Sequence, residues 1–450
     1  VNQPASGSAH FRTQGLSVGV AVGDTGVSNH ADLSYHIVQY SFLGGKYPRP
    51  EIDDGRLVRE KSTSRNDDFG HGTHVAGLIA GSGSYSDDEY KGSATGTTIV
   101  ALQVLDKDGN GSMSDVMAAL DWLKTYGRHF NVRVVNLSLG KGISESNTTD
   151  PLVQAVEDLW DAGMVVVVAA GNDGYEGSMT VTSPGNSRKV ITVGSITDNG
   201  TGLDHGDDYR SSFSSQGPTI GDHVLKPDLL APGNRVVGSV DKNSKLAKLL
   251  ADRVKACRKD SLLCGDSTYL ELSGTSMAAP LVSATVALML EKDPALTPAT
   301  VKARLMRSAR KIDADPTEAG AGVLDVEAAL NDSGVLKGQA LSPIMVFDAA
   351  SNTVLVEDTA ILWGDDLWGA GYLFNNGLTW ASGATYTDAS GVEATGYMWT
   401  DGGVTAKGYM WTDGGVSAKG YMWTSGVDAK SLLDTTNATE YFLNDDAQSQ

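Results

Sequence analysis

Short apolar runs alternate along the chain with longer stretches in which apolar side chains recur every three or four positions. A continuous apolar run bounded by turn residues suits a strand buried on both faces of a parallel sheet. Residues 18–22, 99–105, 134–139, 164–170 and 190–193 fit that description and are the predicted strands. Between them, Asp150-Pro151 predicts a helix start, a capping carboxylate followed by a proline at the first helical position. Leu152, Ala155, Val156 and Leu159 then share one face, and Gly163 can end the helix. A second helix should follow Ser276, with Val282, Val286 and Met289 in the core and Pro280 near enough to its start to be tolerated. The alternation predicts an α/β fold: a mostly parallel central sheet with helices on both faces in three layers.

Beyond about residue 335 the pattern changes. The octad starting Gly396-Tyr397-Met398-Trp399 and ending Asp401-Gly402-Gly403 recurs at 408–415 and, less faithfully, at 420–426, a period of about twelve. Tyr-Met-Trp-Thr is strand-like and Asp-Gly-Gly turn-like, which predicts hairpins or extended arms. Trp363, Trp368, Trp380, Trp399, Trp411 and Trp423 lie in this tail, leaving only Trp122 and Trp160 elsewhere. The rings either pack on the rest of the protein or hold a ligand, and three short repeats make a poor independent core, which favours packing. The expected organisation is a main domain over 1–335 and a smaller β-rich extension over 336–450.

Charge narrows the partners. With 35 basic and 55 acidic side chains the net charge is -20 and the pI near 4.7, which argues against nucleic acid or an anionic membrane as partner. No apolar run approaches the roughly 18 residues that span a bilayer, so a soluble protein is expected. Val1 is preceded by neither an initiator Met nor a signal sequence, so the numbering is expected to start after processing. The only cysteines, Cys257 and Cys264, lie a short loop apart, as one local disulfide in an oxidising compartment or a pair of free thiols. Zinc is disfavoured, since no third or fourth ligand is nearby in sequence.

Candidate chemistry centres on Leu272-Ser273-Gly274-Thr275-Ser276-Met277-Ala278-Ala279-Pro280, where Ser276 sits at a glycine-rich turn before a helix. A serine hydroxyl is too weak a nucleophile to attack an amide without a base, an orienting carboxylate and an oxyanion site. The base candidate is His71, in Gly70-His71-Gly72-Thr73-His74, with glycines clearing space on both sides. The carboxylate candidate is Asp24, at the end of the 18–22 strand, and strand ends are where open α/β sheets place their chemistry. The chain order Asp, His, Ser is one of three in which this triad occurs on unrelated folds.

With those motifs together, the chain resembles the subtilisin-like serine proteases, the subtilases, over roughly residues 15 to 332. The resemblance implies that Asp24 orients His71, that His71 takes the proton of Ser276, and that an acyl-enzyme forms on Ser276 and is hydrolysed, with no catalytic cofactor. Asn172, after the strand-like run at 165–168 and Gly171, matches the family's oxyanion-hole asparagine, with the Ser276 backbone N–H as second donor. It also implies a secreted, extracellular enzyme, a removed signal and a pro-segment that inhibits and assists folding, polypeptide substrates and a monomer.

By the same resemblance, residues 109–113 (Gly109, Asn110, Gly111, Met113) and Ser138, Leu139 and Gly140 are expected to flank an extended peptide. Ala169, Ala170 and Gly171 would line the primary pocket with Leu139, and Thr182 would lie near its base, a pocket for apolar or aromatic side chains. Asp173 at the rim would favour basic residues weakly. The run from Asp106 to Gly111 mimics half of an EF-hand loop, but Met117 stands where a bidentate Glu is needed; a turn followed by a helix with a Ser112/Asp115 capping box fits better. Two features depart from shorter subtilases. A charged, helix-prone insertion over about 241–268 carries both cysteines, and residues 81–89 do not match the calcium loop found there in many subtilases. Structural calcium is consistent with the family, with no metal site assigned. His30, His36 and His129 read as surface or satisfied core residues, and the sequon at Asn136 falls in a predicted buried strand. The rivals, an α/β-hydrolase esterase or a catalytically inert binding scaffold, sit badly with the missing Gly-x-Ser-x-Gly and with the complete set Asp24, His71, Asn172 and Ser276.

Overall fold

The computed structural model describes residues 13–33, 37–201, 205–257, 264, 266–312 and 314–348, with strand segments at 353–357, 385–387 and 393–394. Its centre is a sheet of β1 (Gly19–Asp24), β2 (Ile37–Ser41), β3 (Thr98–Gln103), β4 (Val132–Leu137), β5 (Val165–Ala169), β6 (Ile191–Thr197), β7 (Tyr209–Arg210) and β8 (Leu229–Pro232). The order across it is β8-β6-β5-β4-β1-β3-β2, parallel throughout, with β7 added antiparallel to β6. Strands β1 and β5 are buried at every position, which is why they read as unbroken apolar runs.

Helices α1 (His71–Ala80), α2 (Met113–Tyr126) and α3 (Pro151–Asp161) follow the strands and cover the sheet. The predicted start of α3 is present: Asp150 Oδ1 accepts the Leu152 N–H at 2.9 Å, Pro151 is the first helical residue, and Gly163 follows with φ 94°. A short α4 (Lys245–Leu249) lies in the insertion, and α5 (Thr275–Lys292) and α6 (Pro298–Ser308) complete the set used below. Helix α5 is buried from Thr275 to Leu290 and packs on β4, β5, β6 and α1, so the segment after Ser276 is core on all sides.

Both neighbours of β1 come later in the chain, β3 on one side and β4 on the other, so the chain crosses from one side of β1 to the other between them. The carboxyl end of β1 is therefore a point where the strand order reverses, the position at which an open sheet leaves a crevice. Asp24 is its last residue.

Several expectations need correction. Among its described residues the insertion is less helical than its composition suggested: β9 (Val236–Asp241) and β11 (Ser267–Leu272) pair antiparallel, β10 (Val254–Lys255) joins β11, and α4 has only five residues. The Ser112/Asp115 box is half formed. Ser112 Oγ accepts the Asp115 N–H at 3.1 Å, but the Asp115 carboxylate turns away to accept Gly44 and Gly45 N–H at 3.3 and 2.9 Å. His30 is a satisfied core residue between Thr268 O and the Asp32 N–H, and Asn136 is fully buried, whereas His36 lies outside the described residues. The repeats over 396–426 and the six tail tryptophans also lie outside them. Among the described residues no helix is long and apolar enough to cross a membrane.

Candidate active site

His71 opens α1, and the carboxylate at the end of β1 meets it from behind: His71 Nδ1 lies 2.8 and 2.9 Å from Asp24 Oδ1 and Oδ2, with both side chains at 2% exposure or less. The carboxylate is held in turn by the Thr25 N–H at 2.7 Å, and Thr25 Oγ1 accepts the Gly72 N–H at 2.9 Å, which ties the strand end to the helix start. Gly70, the N-cap of α1, has no side chain to cap with, so Asp67 does the work, accepting Gly70 N–H (2.7 Å), Thr73 N–H (2.8 Å) and Thr73 hydroxyl (2.7 Å). Burial pushes the Asp67 carboxyl above its usual range although these donors pull the other way. The flanking glycines serve the protein more than the substrate. A Cβ on Gly72 would stand 2.2 Å from Gly26 O, and one on Gly70 2.7 Å from Ser244 Oγ.

Ser276 is the second residue of α5, and its hydroxyl donates to Ser138 O at 3.4 Å while the Ser138 hydroxyl donates to Ser276 O at 2.9 Å. Asn172 is fixed by its oxygen: Oδ1 accepts the Thr275 N–H at 2.9 Å and the Thr275 hydroxyl at 3.1 Å, which leaves Nδ2 as the donor end of the amide. The Ser276 N–H belongs to the first turn of α5, where helix donors have no intrahelical acceptor.

One cleft contains His71, Ser276 and Asn172, together with Gly109, Gly111, Met113, Ser138, Leu139, Gly140, Gly171 and Thr182. Asn110 and Ala170 are absent from its lining. Asn110 is used by its own turn, its N–H on Asp106 Oδ1 and its carbonyl on Asp106 N–H, and Ala170 is fully buried behind the wall, accepting the Thr182 N–H at 3.0 Å. Thr182 lines the cleft where its segment bridges two of its sides: the Thr182 N–H bonds to Ala170 O and the Ser183 N–H to Lys141 O. Phe69, Leu105, Val116, Lys141 and Leu152 also line the cleft and were not anticipated. Lys141 is paired at 3.0 Å with Asp150, whose side chain is fully buried. Asp173 follows Asn172 but is absent from the cleft lining; burial and then the Glu176 charge push its carboxyl up to about 6. His74, one turn after His71, is a packing residue: Nε2 donates to Leu270 O at 2.9 Å and burial lowers its pKa to about 3.

Cys257 and Cys264 are joined as a disulfide, which settles the choice left open between a bridge and free thiols. The loop after α1 is held by Asp32, which accepts the Ser82 hydroxyl at 2.9 Å and the Tyr85 N–H at 3.1 Å. Among the described residues no three His, Cys, Asp or Glu side chains gather where they could hold a metal ion.

Comparison with known proteins agrees with this architecture. The family model described as the Subtilase family matches residues 15–338. Serine protease AprX of Bacillus subtilis (strain 168) is 39% identical over 319 residues, covering 70% of this chain and 66% of AprX. Subtilisin DY of Bacillus licheniformis is 31% identical over 318 residues, 70% of this chain and 92% of that protein. An extracellular serine proteinase of Thermus sp. (strain Rt41A) is 33% identical, covering 67% of this chain and 58% of its own length. An α/β fold with a buried carboxylate–imidazole pair and a serine in one cleft defines a serine hydrolase class. The chain belongs to the subtilase family of serine proteases.

Proposed function

We propose that the chain is a secreted endopeptidase that cleaves polypeptides through an acyl-enzyme on Ser276. The observation that carries this reading is the buried Asp24–His71 pair opening onto the cleft that holds Ser276 and the oriented Asn172 amide. Asp24 accepts the Nδ1–H of His71 and so leaves Nε2 as the base. Nε2 takes the Ser276 proton as Oγ attacks the scissile carbonyl. Negative charge then develops on the carbonyl oxygen, where Asn172 Nδ2 and the Ser276 N–H donate to it. His71 returns the proton to the leaving amine, and water, deprotonated by the same imidazole, releases the acyl group. The chemistry uses side chains and backbone donors alone.

The Leu139, Leu152 and Ala169 side chains around the primary pocket support a preference for apolar or aromatic residues on the acyl side of the cleaved bond. Secretion is supported by the disulfide and by the extracellular name of the Thermus relative. The extension past residue 335 is read as a stabilising element, with substrate binding as its alternative. A removed pro-segment is its expected inhibitor, and the working form is a monomer. A serine-directed fluorophosphonate tests the central step: wild type should label and Ser276→Ala should not, and equal labelling of the two would overturn the mechanism.

Asp173 makes the specificity pH-dependent. With its pKa raised to about 6, the carboxyl is neutral below that pH and anionic above it. The kcat/KM ratio for a lysine against a phenylalanine substrate, in which the titration of His71 cancels, should rise as pH increases through 6. A partly exposed carboxylate is worth about 1 kcal/mol at most, so the rise is about fivefold or less. Asp173→Asn should hold the ratio flat, and a wild-type ratio that does not change between pH 5 and 8 would remove Asp173 from specificity.

A further inference from the structure

Among the described residues, the insertion between β9 and β11 returns to the active site through its helix. Its helix α4 points its first two N–H groups at the loop that carries His71: Lys245 N donates to Asp68 O at 2.8 Å and Leu246 N to Phe69 O at 3.0 Å. Ser244 caps that helix through the Ala247 N–H at 3.3 Å and lies against Gly70. Leu246 and Ala247 are buried in the main core, so the helix is anchored rather than laid on the surface. From this anchored position the Lys245 ammonium reaches the turn that carries Gly109, 3.1 Å from Asp108 Oδ1, and passes 5.8 Å from the centre of the Phe69 ring. Phe69 is buried at 1% exposure, lines the cleft two residues before His71, and touches Gly109 so closely that a Cβ there would stand 2.9 Å from the ring.

These contacts join two parts of the site that the chain separates widely, the loop leading to His71 and the turn at 106–111 that forms one cleft edge. We propose that α4 is a brace and Lys245 a positioning residue, which hold the substrate-pairing edge at Gly109–Gly111 in register with His71 through Phe69 and Asp108. The proposal rests on the endopeptidase reading of the cleft. A substrate long enough to lie along the 109–111 edge benefits from that register, and a single-residue ester, which reaches only the primary pocket, benefits much less. The Lys245–Asp108 pair is partly exposed, with side chains at 36% and 46%, so its own share is small and screened by salt. The backbone bonds from α4 carry the rest.

Two variants separate these shares. Lys245→Met keeps the stem and both backbone bonds and removes the charge. Lys245→Pro also removes the N–H that bonds to Asp68 O, at a first helical position where proline is tolerated and after Ser244, whose backbone is already extended. The measurement is kcat and KM for a tetrapeptide amide and for a single-residue ester, each normalised to sites titrated with fluorophosphonate. We expect KM for the tetrapeptide to rise about threefold in Lys245→Met and about tenfold in Lys245→Pro, with a smaller change for the ester. Wild type in 1 M salt should approach Lys245→Met. Equal changes for both substrates, or none for either, would overturn the brace while fluorophosphonate labelling of wild type left the endopeptidase reading intact. Failure of wild type to label would instead overturn that parent reading.

Discussion

Alanine at Ser276 is expected to lower kcat by about a million-fold, the scale measured when a subtilisin loses its nucleophile and carried over here on the shared chemistry. The change removes one hydroxyl whose described contact is a 3.4 Å bond to Ser138 O, at the start of a helix buried throughout its first four turns, so the fold has little to lose. KM should stay near its wild-type value because the walls at Gly109–Gly111, Leu139 and Thr182 are untouched. Adding His71→Ala to Ser276→Ala should cost almost nothing more. The imidazole has work to do only if there is a serine proton to take, and the two act as a unit rather than as separate contributions. What survives in either variant comes from binding and from the donors at Asn172 and the Ser276 N–H, about a thousandfold or more over water. The check is steady-state hydrolysis of a chromogenic peptide, with active-site titration excluding wild-type contamination. A Ser276→Ala protein that kept about a hundredth of the wild-type kcat would place the nucleophile elsewhere.

Much of this site could be read before any coordinates because its parts are short motifs whose local geometry follows from residue type. Strands β1 and β5 were legible because burial on both faces leaves an almost unbroken apolar run, and β3, β4 and β6 because an apolar stretch dominates each despite the occasional polar residue. Strands β9 and β11 were not: Val236–Asp241 and Ser267–Leu272 mix polar residues into the ladder, and the insertion between them hides the hairpin that a short turn would signal. Strand β8 ends in Pro232, an unpromising strand residue that is tolerated at the margin of this sheet. Within the cleft, the misplacement of Ala170 and Asn110 has two causes. Ala170 follows β5, whose residues are all buried, and its carbonyl is used by Thr182, whereas Asn110 closes the 106–110 turn with its own backbone; neither bond can be read from residue type alone. Phe69 was legible as a neighbour of His71 but not as a wall of the cleft, since its role depends on α4 and the 106–111 turn, both distant in sequence. The same holds for Asp67, whose capping of α1 skips over the glycine at the formal cap position.

Asp228→Asn is expected to be the most damaging single change away from the cleft. Asp228 lies fully buried between two lysines that are also fully buried, Lys226 at 2.6 Å and Lys302 at 3.2 Å. Its carboxylate also accepts the Thr192 N–H at 2.8 Å and the Ser342 hydroxyl, and Lys302 donates to the carbonyls of Arg188, Lys189 and Val190. Burial opposes ionisation of the aspartate, but the two ammonium groups outweigh it and hold the carboxyl below its usual range. One carboxylate cannot offset two cations, and burial lowers Lys302 to about 7. Removing the carboxylate that bonds both lysines should cost about 3 to 5 kcal/mol at pH 7, an expected fall of about 10 °C in the unfolding midpoint. The sign of the pH dependence follows from the lysine. Its folded pKa lies below its unfolded value near 10.5, so between about pH 7 and 10 the unfolded chain binds the extra proton and stability rises with pH. That rise should be present in wild type and steeper in Asp228→Asn, where neither lysine keeps a counterion. Ser342 extends the argument past Gly334: Arg188 and Lys302 grip it beside Asp228, so ending the chain after Gly334 should reproduce part of the loss. Midpoints measured at pH 7 and pH 9.5 decide the matter, and an Asp228→Asn protein within about 2 °C of wild type at both would mean that the buried charges are neutral or hydrated in the folded protein.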